Sequence, residues 1–143
     1  MSQGATQSLL AASRGQPRLW TGRVLSGLVI LFFLLDAGMK LPPLQPVTDT
    51  MAELGWAADA PTTRALGVLM LAIVGLYAYR PTSLLGAILM TGYLGGAVAT
   101  HARIGSPLLT HTLFGVYVGC LAWAGLWLRE PRLQRMLPVA FDR

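Results

Sequence analysis

Apolar residues in this chain fall into four long runs that short polar segments separate. Three runs contain no charged residue, at 24–35, 65–79 and 81–100, and the fourth, at 104–128, contains His111 but no Asp, Glu, Lys or Arg. A bilayer core about 30 Å thick is crossed by about 20 helical residues, and helices satisfy their own backbone hydrogen bonds in lipid. The pattern predicts an all-α membrane protein, an antiparallel four-transmembrane-helix bundle with helices at about 20–41, 62–79, 82–102 and 107–128.

The connections between these helices differ in length. A Pro-Pro pair ends the first helix, and residues 42–61 form the one long connection. Within it Val47, Met51 and Leu54 sit near helical spacing among acidic residues, which predicts a short amphipathic helix at the membrane surface. The second and third helices are instead predicted to meet in a tight hairpin at Pro81, because proline disfavours helix at the preceding residue and can begin the next helix.

The composition supports a lipid environment. The 143 residues are 54% apolar and 12% charged, with a net charge of +5, whereas soluble domains have about 25% charged residues. The basic residues form no stripe interleaved with aromatic residues, so we expect no nucleic-acid partner. The single cysteine, Cys120, lies in an apolar run and has no second cysteine with which to form an internal disulfide.

The distribution of Lys and Arg predicts the orientation. Lys40, Arg64 and Arg103 flank the outer end of the predicted bundle, and eight arginines flank the end that carries both termini, namely Arg14, Arg18, Arg23, Arg80, Arg129, Arg132, Arg135 and Arg143. By the positive-inside rule we expect both termini to be cytoplasmic, in a bacterial plasma membrane. Residues 1–18 are expected to form a flexible tail, 19–128 the transmembrane domain with an uncleaved first helix, and 129–143 a basic tail.

Ionisable residues predicted to lie within the membrane gather at the outer end. Asp36 and Lys40 are four residues apart on the first helix, where they are positioned to form an ion pair. His101 and Arg103 end the third helix at the same level, and His111 begins the fourth. A charge in hydrocarbon costs at least about 2.5 kcal/mol, so such a layer is a candidate functional site.

We therefore predict a ligand-binding layer in which Asp36 and His101 are candidate catalytic residues and in which there is no metal site. Its members are Asp36, Lys40, Tyr93, Thr100, His101, Arg103 and His111. Structural roles are the alternative: the two cations would extend to the interface, Asp36 would neutralise Lys40, and the histidines would be hydrogen-bonded inside the bundle. A bis-histidine haem also fits two histidines ten residues apart, although nothing in that spacing selects iron.

Small residues recur at intervals of four in the third and fourth predicted helices. Gly92 and Gly96 form one such pair and Gly115 and Gly119 another. Spacing of this kind lets helices approach closely in a bilayer. We expect the two pairs to bring these helices together; a homodimer face or a glycine-lined groove for a flat ligand are the alternatives.

Three segments resemble the DoxX-like family of small membrane proteins. They are AGMKL at 37–41, MAELG at 51–55 and GGAVATHAR at 95–103. The resemblance covers residues 24–128 and implies a four-helix membrane bundle. It also implies a link to membrane redox systems, because the family is named for a subunit associated with a terminal quinol oxidase or thiosulfate:quinone oxidoreductase. Members often have a glutamate in the second helix where this chain has Met70.

Three functional hypotheses follow. The first is an accessory subunit of a membrane redox system, in contact with its other subunits, that binds a quinone-like or lipidic small molecule at the outer layer, with quinone as the one candidate cofactor. The second is an intramembrane enzyme that acts on an apolar small molecule with Asp36 or His101 as acid or base. The third is a scaffold for other membrane proteins. The chain lacks P-loop, Gly-x-Ser-x-Gly, His-Glu-x-x-His and Cys-x-x-Cys motifs, so phosphate transfer, serine or zinc hydrolysis and thiol exchange have no support.

Overall fold

The chain folds as a bundle of long helices with two short helices beside it. A computed structural model describes the backbone of residues 3–136 and the side chains of residues 17–136. Among these residues there is no strand, and the helices are α1 (Gln3–Lys40), α2 (Gln45–Glu53), α3 (Ala60–Ala78), α4 (Ser83–Arg103), α5 (Phe114–Arg129) and α6 (Pro131–Met136).

The predicted fold class is confirmed. Four helical segments of the described chain are long and apolar enough to cross a membrane, Pro17–Lys40, Ala60–Ala78, Arg80–Arg103 and Leu108–Arg129. Large apolar side chains such as Leu31, Val68 and Ile88 are more than half exposed on the outside of the bundle. Such a surface is unfavourable in water and is the surface that lipid covers.

The bounds of the first helix differ from those predicted. α1 begins at Gln3, so the residues that we expected to form a flexible tail are helical from there on. Alanine, glutamine and leucine in this segment favour helix, and Pro17 is accommodated inside α1. The other predicted tail, 129–143, contains α6. Residues 1–2 and 137–143 lie outside the described residues, as do the side chains of Arg14 and Arg143.

The four long helices form a ring in which every neighbour is antiparallel. α1 packs against α3 and α5, and α4 packs against the same two helices, so α1 and α4 face each other diagonally. We call the end of the bundle that carries Lys40 and Arg103 the Lys40 end, and the opposite end the Arg129 end. α2 lies at the Lys40 end and α6 at the Arg129 end.

Two irregular turns connect the helices of the second half. At the Arg129 end, α3 and α4 are joined by a 3-10 turn, Arg80–Thr82, as the position of Pro81 predicts. At the Lys40 end, a π-helical turn, Leu108–Thr112, precedes α5. Its backbone N–H groups donate to carbonyl oxygens five residues earlier, as in the 2.8 Å hydrogen bond from Leu113 N–H to the Leu108 carbonyl. Such turns widen a helix locally and are frequent near binding sites.

A buried hydroxyl joins three helices near the Arg129 end. Tyr77 of α3 is fully buried, and its hydroxyl donates to the carbonyl of Ala122 in α5 at 2.7 Å. The same hydroxyl lies 3.0 Å from that of Ser26 in α1. Arg129 donates to the Tyr77 carbonyl at 2.9 Å and places its guanidinium 4.9 Å from the centre of the Tyr77 ring.

Glycines allow the closest helix approaches at the same end. A Cβ atom at Gly86 of α4 would lie 2.2 Å from the backbone nitrogen of Tyr77, so only glycine fits there. Gly22 and Gly125 similarly bring α1 against α5. The predicted role of Gly92 and Gly96 in close packing is wrong, because a Cβ at either would meet no atom within 4 Å. The prediction holds for Gly115 of the second pair, where a Cβ would lie 3.0 Å from the Leu94 carbonyl oxygen of α4.

We expect Gly86→Ala to destabilise the bundle. The added methyl group would overlap the α3 backbone, and overpacking of this kind costs about 1–3 kcal/mol. The midpoint of thermal unfolding in detergent should fall for Gly86→Ala and hold or rise for Gly95→Ala, a control on the same helix at which a Cβ has open space. Equal midpoints for the two variants would contradict the close approach of α3 and α4.

Candidate functional site

A cavity of about 580 Å³ occupies the Lys40 end of the bundle. α1 and α4 supply just over half of its lining, and α2 with the residues after it, the π-helical turn and the N-terminal parts of α3 and α5 complete it. The diagonal arrangement explains its position, since the backbones of α1 and α4 face each other there without close approach. The cavity therefore lies between the helices, at the membrane depth where we predicted the ionisable layer.

One wall of the cavity is aromatic and apolar. Phe32 of α1 packs edge-on against Phe114 of α5, with ring centres 5.3 Å apart, and Phe33 lies 6.1 Å from the ring of Tyr93 in α4. Met70 of α3, which is 1% exposed, closes this wall. The surface suits a flat or branched apolar group, because edge-to-face aromatic contacts hold a rigid wall.

Another part of the cavity is polar. Lys40 donates through Nζ to Oδ1 of Asp36, one turn earlier on α1, so the predicted ion pair is present. Their side chains are 14% and 26% exposed. Pairing within one helix balances these two charges, and the ammonium group has further N–H donors for a ligand.

Two histidines stand side by side in the lining of the same cavity. The ring centres of His101 and His111 are 5.9 Å apart and the rings are tilted by 57°. Nδ1 of His101 lies 3.0 Å from the Ser106 hydroxyl, and Nδ1 of His111 lies 2.8 Å from the Thr110 hydroxyl. These contacts orient both rings, and within the described part of the chain Nε2 of each ring has no hydrogen-bond partner. Each ring therefore has a nitrogen available to a bound molecule.

α2 and the residues after it cover the cavity at this end. Val47, Thr50 and Met51 of α2 line it, followed by Leu54 and Trp56. Met51 is buried, and the others are half-buried or exposed. α2 therefore has a definite place over the cavity, which the prediction of a surface helix did not include.

The structure brings six of the seven predicted site residues to one cavity. These are Asp36, Lys40, Tyr93, Thr100, His101 and His111. The exposed seventh, Arg103, does not line it, because its guanidinium turns away and donates to the carbonyl of Leu54 at 2.7 Å. Thr100 uses its hydroxyl hydrogen within α4, for the Gly96 carbonyl at 2.8 Å, so toward a ligand it offers an acceptor.

Glycines form part of the cavity surface and were not among the predicted site residues. Gly92 and Gly96 of α4 and Gly115 of α5 all line it. Bare backbone at Gly92 and Gly96 leaves two places on the α4 part of the surface without a side chain. The four-residue spacing was visible in the sequence, and the glycine-lined groove weighed there as an alternative matches this position better than close packing does.

The sequence of this chain matches the model of a known protein family. The model of the DoxX-like family matches residues 24–125, which is most of the chain. The chain belongs to the DoxX-like family. It is a DoxX-like integral membrane protein whose long helices contact the bilayer. No curated protein and no solved structure matches it.

Met70 contributes an apolar side chain to the cavity of this DoxX-like protein. The residue stands where the resemblance implies a glutamate in many members, and it is buried in the apolar wall. Asp36 is therefore the one carboxylate among the described residues that line the cavity, and Lys40 neutralises it.

We expect the Asp36 and Lys40 side chains to be coupled energetically. Lys40→Met leaves a partly buried carboxylate without its cation and should lower the free energy of unfolding by about 1–2 kcal/mol. The double variant Asp36→Asn/Lys40→Met removes both charges and should regain most of that loss. Unfolding of both variants and of Asp36→Asn alone in mild detergent gives the coupling energy; additive effects would contradict an ion pair.

Proposed function

We propose that this DoxX-like protein is an accessory subunit of a quinone-linked redox system and binds a quinone-like or lipidic molecule in the cavity at the Lys40 end. The observation that carries the proposal is that one cavity has both an aromatic wall and a polar part that holds the Asp36–Lys40 ion pair and two histidines. An amphiphilic ligand with a flat polar head and an apolar tail matches both parts. Binding sites of this type are mostly apolar, with a few convergent polar groups.

The polar end supports a head group that accepts hydrogen bonds. Lys40 keeps N–H donors beyond the one that it shares with Asp36, and His101 and His111 each have a ring nitrogen without a partner in the described structure. A carbonyl oxygen of a quinone-like ring would accept a hydrogen bond from Lys40, and from either histidine in the tautomer that carries its hydrogen on Nε2. Gly92 and Gly96 of α4 give a flat ring a surface against which it packs without steric conflict.

The proposed ligand should be lost when the cavity is filled. Gly96→Leu directs a side chain from the cavity surface, where a Cβ meets no atom within 4 Å, so the variant should fold and lose most of its ligand. Gly95→Leu is the matched control, because Gly95 is equally unobstructed but does not line the cavity. Mass spectrometry of small molecules extracted from both purified variants and from the parent measures retention. Equal retention, or no retained amphiphile in the parent, would refute the binding proposal.

Two other functions compete with this one. In an intramembrane enzyme, Asp36 or His101 would act as acid or base, and the purified protein alone would turn over an apolar substrate at a rate that depends on pH. A scaffold would keep its partners when His101 and Asp36 are both replaced. The amphiphilic cavity favours binding over a scaffold role, and the hydrogen-bonded histidines alone do not define a reaction.

We further propose that both termini are cytoplasmic in a bacterial plasma membrane. The described arginines Arg18, Arg23, Arg80, Arg129, Arg132 and Arg135 all lie toward the Arg129 end. This excess over the Lys40 end supports a cytoplasmic Arg129 end by the positive-inside rule. The cavity would then face the extracytoplasmic side of the bilayer.

Cysteine labelling tests this orientation. In a Cys120→Ser background, Ala57→Cys in the exposed loop after α2 should react with a membrane-impermeant maleimide added to intact cells. Arg80→Cys, in the turn at the other end, should react only after the membrane is permeabilised. Labelling of Arg80→Cys in intact cells would reverse the proposed orientation.

A further inference from the structure

Arg103 lies outside the cavity, yet it is bonded to the segment that covers it. The guanidinium Nη2 donates to the Leu54 carbonyl at 2.7 Å, which joins the last turn of α4 to the residue after α2. Leu54 itself lines the cavity. The bond thus connects the rim formed by α4 to the covering segment, residues 45–56.

The covering segment has few other polar ties to the bundle. Its chain continues into α1 on one side and α3 on the other, so these two helices hold it covalently. Within the described structure, one other side-chain hydrogen bond joins it to the bundle, from the Thr63 hydroxyl to the sulfur of Met51 at 3.4 Å. Sulfur is a weak acceptor, whereas the Arg103 bond has a charged donor. On the α4 side, Arg103 provides the tie.

Gly55 is shaped to receive this arginine. Its φ of +73° is a backbone conformation that glycine adopts without strain. A Cβ at this position would lie 2.9 Å from Nη2 of Arg103, so a larger residue would push the guanidinium away. Glycine is thus required at position 55 for two separate reasons, its positive φ and the space that the Arg103 guanidinium occupies.

We propose that Arg103 is a positioning residue that holds the segment 45–56 over the cavity and thereby controls access from the aqueous face at the Lys40 end. Arg103 acts without touching the ligand. This proposal rests on the proposed function, because it takes the cavity to be a ligand site. Because the segment is attached to α1 and α3 through the chain, loss of the Arg103 bond frees its α4 side. The cavity then opens to water next to α4.

A thiol reporter inside the cavity tests this role. Ala97 lines the cavity on α4 and Ala99, on the same helix, does not. In a Cys120→Ser background, Ala97→Cys should react slowly with a small, cationic, water-soluble thiosulfonate in the detergent-purified full chain. Adding Arg103→Ala should speed this reaction by about tenfold to a hundredfold, the range that loss of one charge-assisted hydrogen bond produces in an opening equilibrium. Ala99→Cys should react at the same rate with and without Arg103→Ala.

Arg64 supplies a matched control for the loss of charge. It is an exposed arginine at the same end, and its Nε donates to the Leu41 carbonyl at 3.1 Å, at the end of α1 rather than on the covering segment. Arg64→Ala should leave the labelling of Ala97→Cys unchanged, and Arg103→Lys should restore part of the slow rate. Unchanged labelling in Arg103→Ala, or equal acceleration in Arg64→Ala, would overturn the proposal.

Gly55→Ala is a second variant that tests the Arg103 contact if Arg103→Ala does not yield folded protein. It should accelerate the labelling of Ala97→Cys as Arg103→Ala does, and a parental rate would overturn the role of the contact. The reaction needs no ligand, so its outcome is separate from the proposed function. If Arg103→Ala speeds labelling but the parent retains no amphiphile, the positioning role is supported and ligand binding is refuted. If the parent retains an amphiphile but Arg103→Ala leaves labelling unchanged, ligand binding is supported and the positioning role is refuted.

Discussion

The need to pair polar groups away from water governs this structure. Tyr77 carries a hydroxyl into the interior of the bundle, and it is satisfied there only because α1 and α5 bring Ser26 and the Ala122 carbonyl within hydrogen-bond distance. One hydrogen bond between membrane helices contributes about 0.6 kcal/mol on average, so its energy alone does not hold the fold. Its geometry, together with the close approach at Gly86, determines where the helices converge. They converge toward the Arg129 end, and the cavity forms at the other.

The number of helices and their approximate limits could be predicted from the sequence because lipid imposes a simple rule. A charge-free run of the right length has one stable way to cross a bilayer, and the prolines near residues 42 and 81 punctuate the runs clearly. The helical start at Gln3 could not be predicted in this way. That segment is polar enough to lie outside the hydrocarbon, where propensity and length no longer decide between helix and coil.

The residues of the candidate site could be predicted as far as their depth in the membrane decides which of them lie together. Asp36, Lys40, His101 and His111 were grouped because each lies near the same end of its helix, and all of them line one cavity. Depth does not specify the direction of a long side chain, which is why the contact of Arg103 with Leu54 was missed. Nor does a four-residue glycine spacing distinguish a packing face from a cavity surface, as Gly92 and Gly96 demonstrate. Close packing occurs instead at Gly22 of α1 and at Gly115 of α5, where a Cβ would lie 3.0 Å from the Leu94 carbonyl oxygen of α4.

The two polar clusters differ in how many helices each needs, and this difference has a consequence for biogenesis. Asp36 and Lys40 are on one helix, so α1 can enter the bilayer with its charges already neutralised, before any later segment has been synthesised. The hydroxyl of Tyr77 must wait until α5 has been synthesised before it can donate to the Ala122 carbonyl. In nascent chains truncated ahead of α5, α1 is therefore already complete in its charge pairing, whereas the Tyr77 hydroxyl has only Ser26 of α1 as a partner.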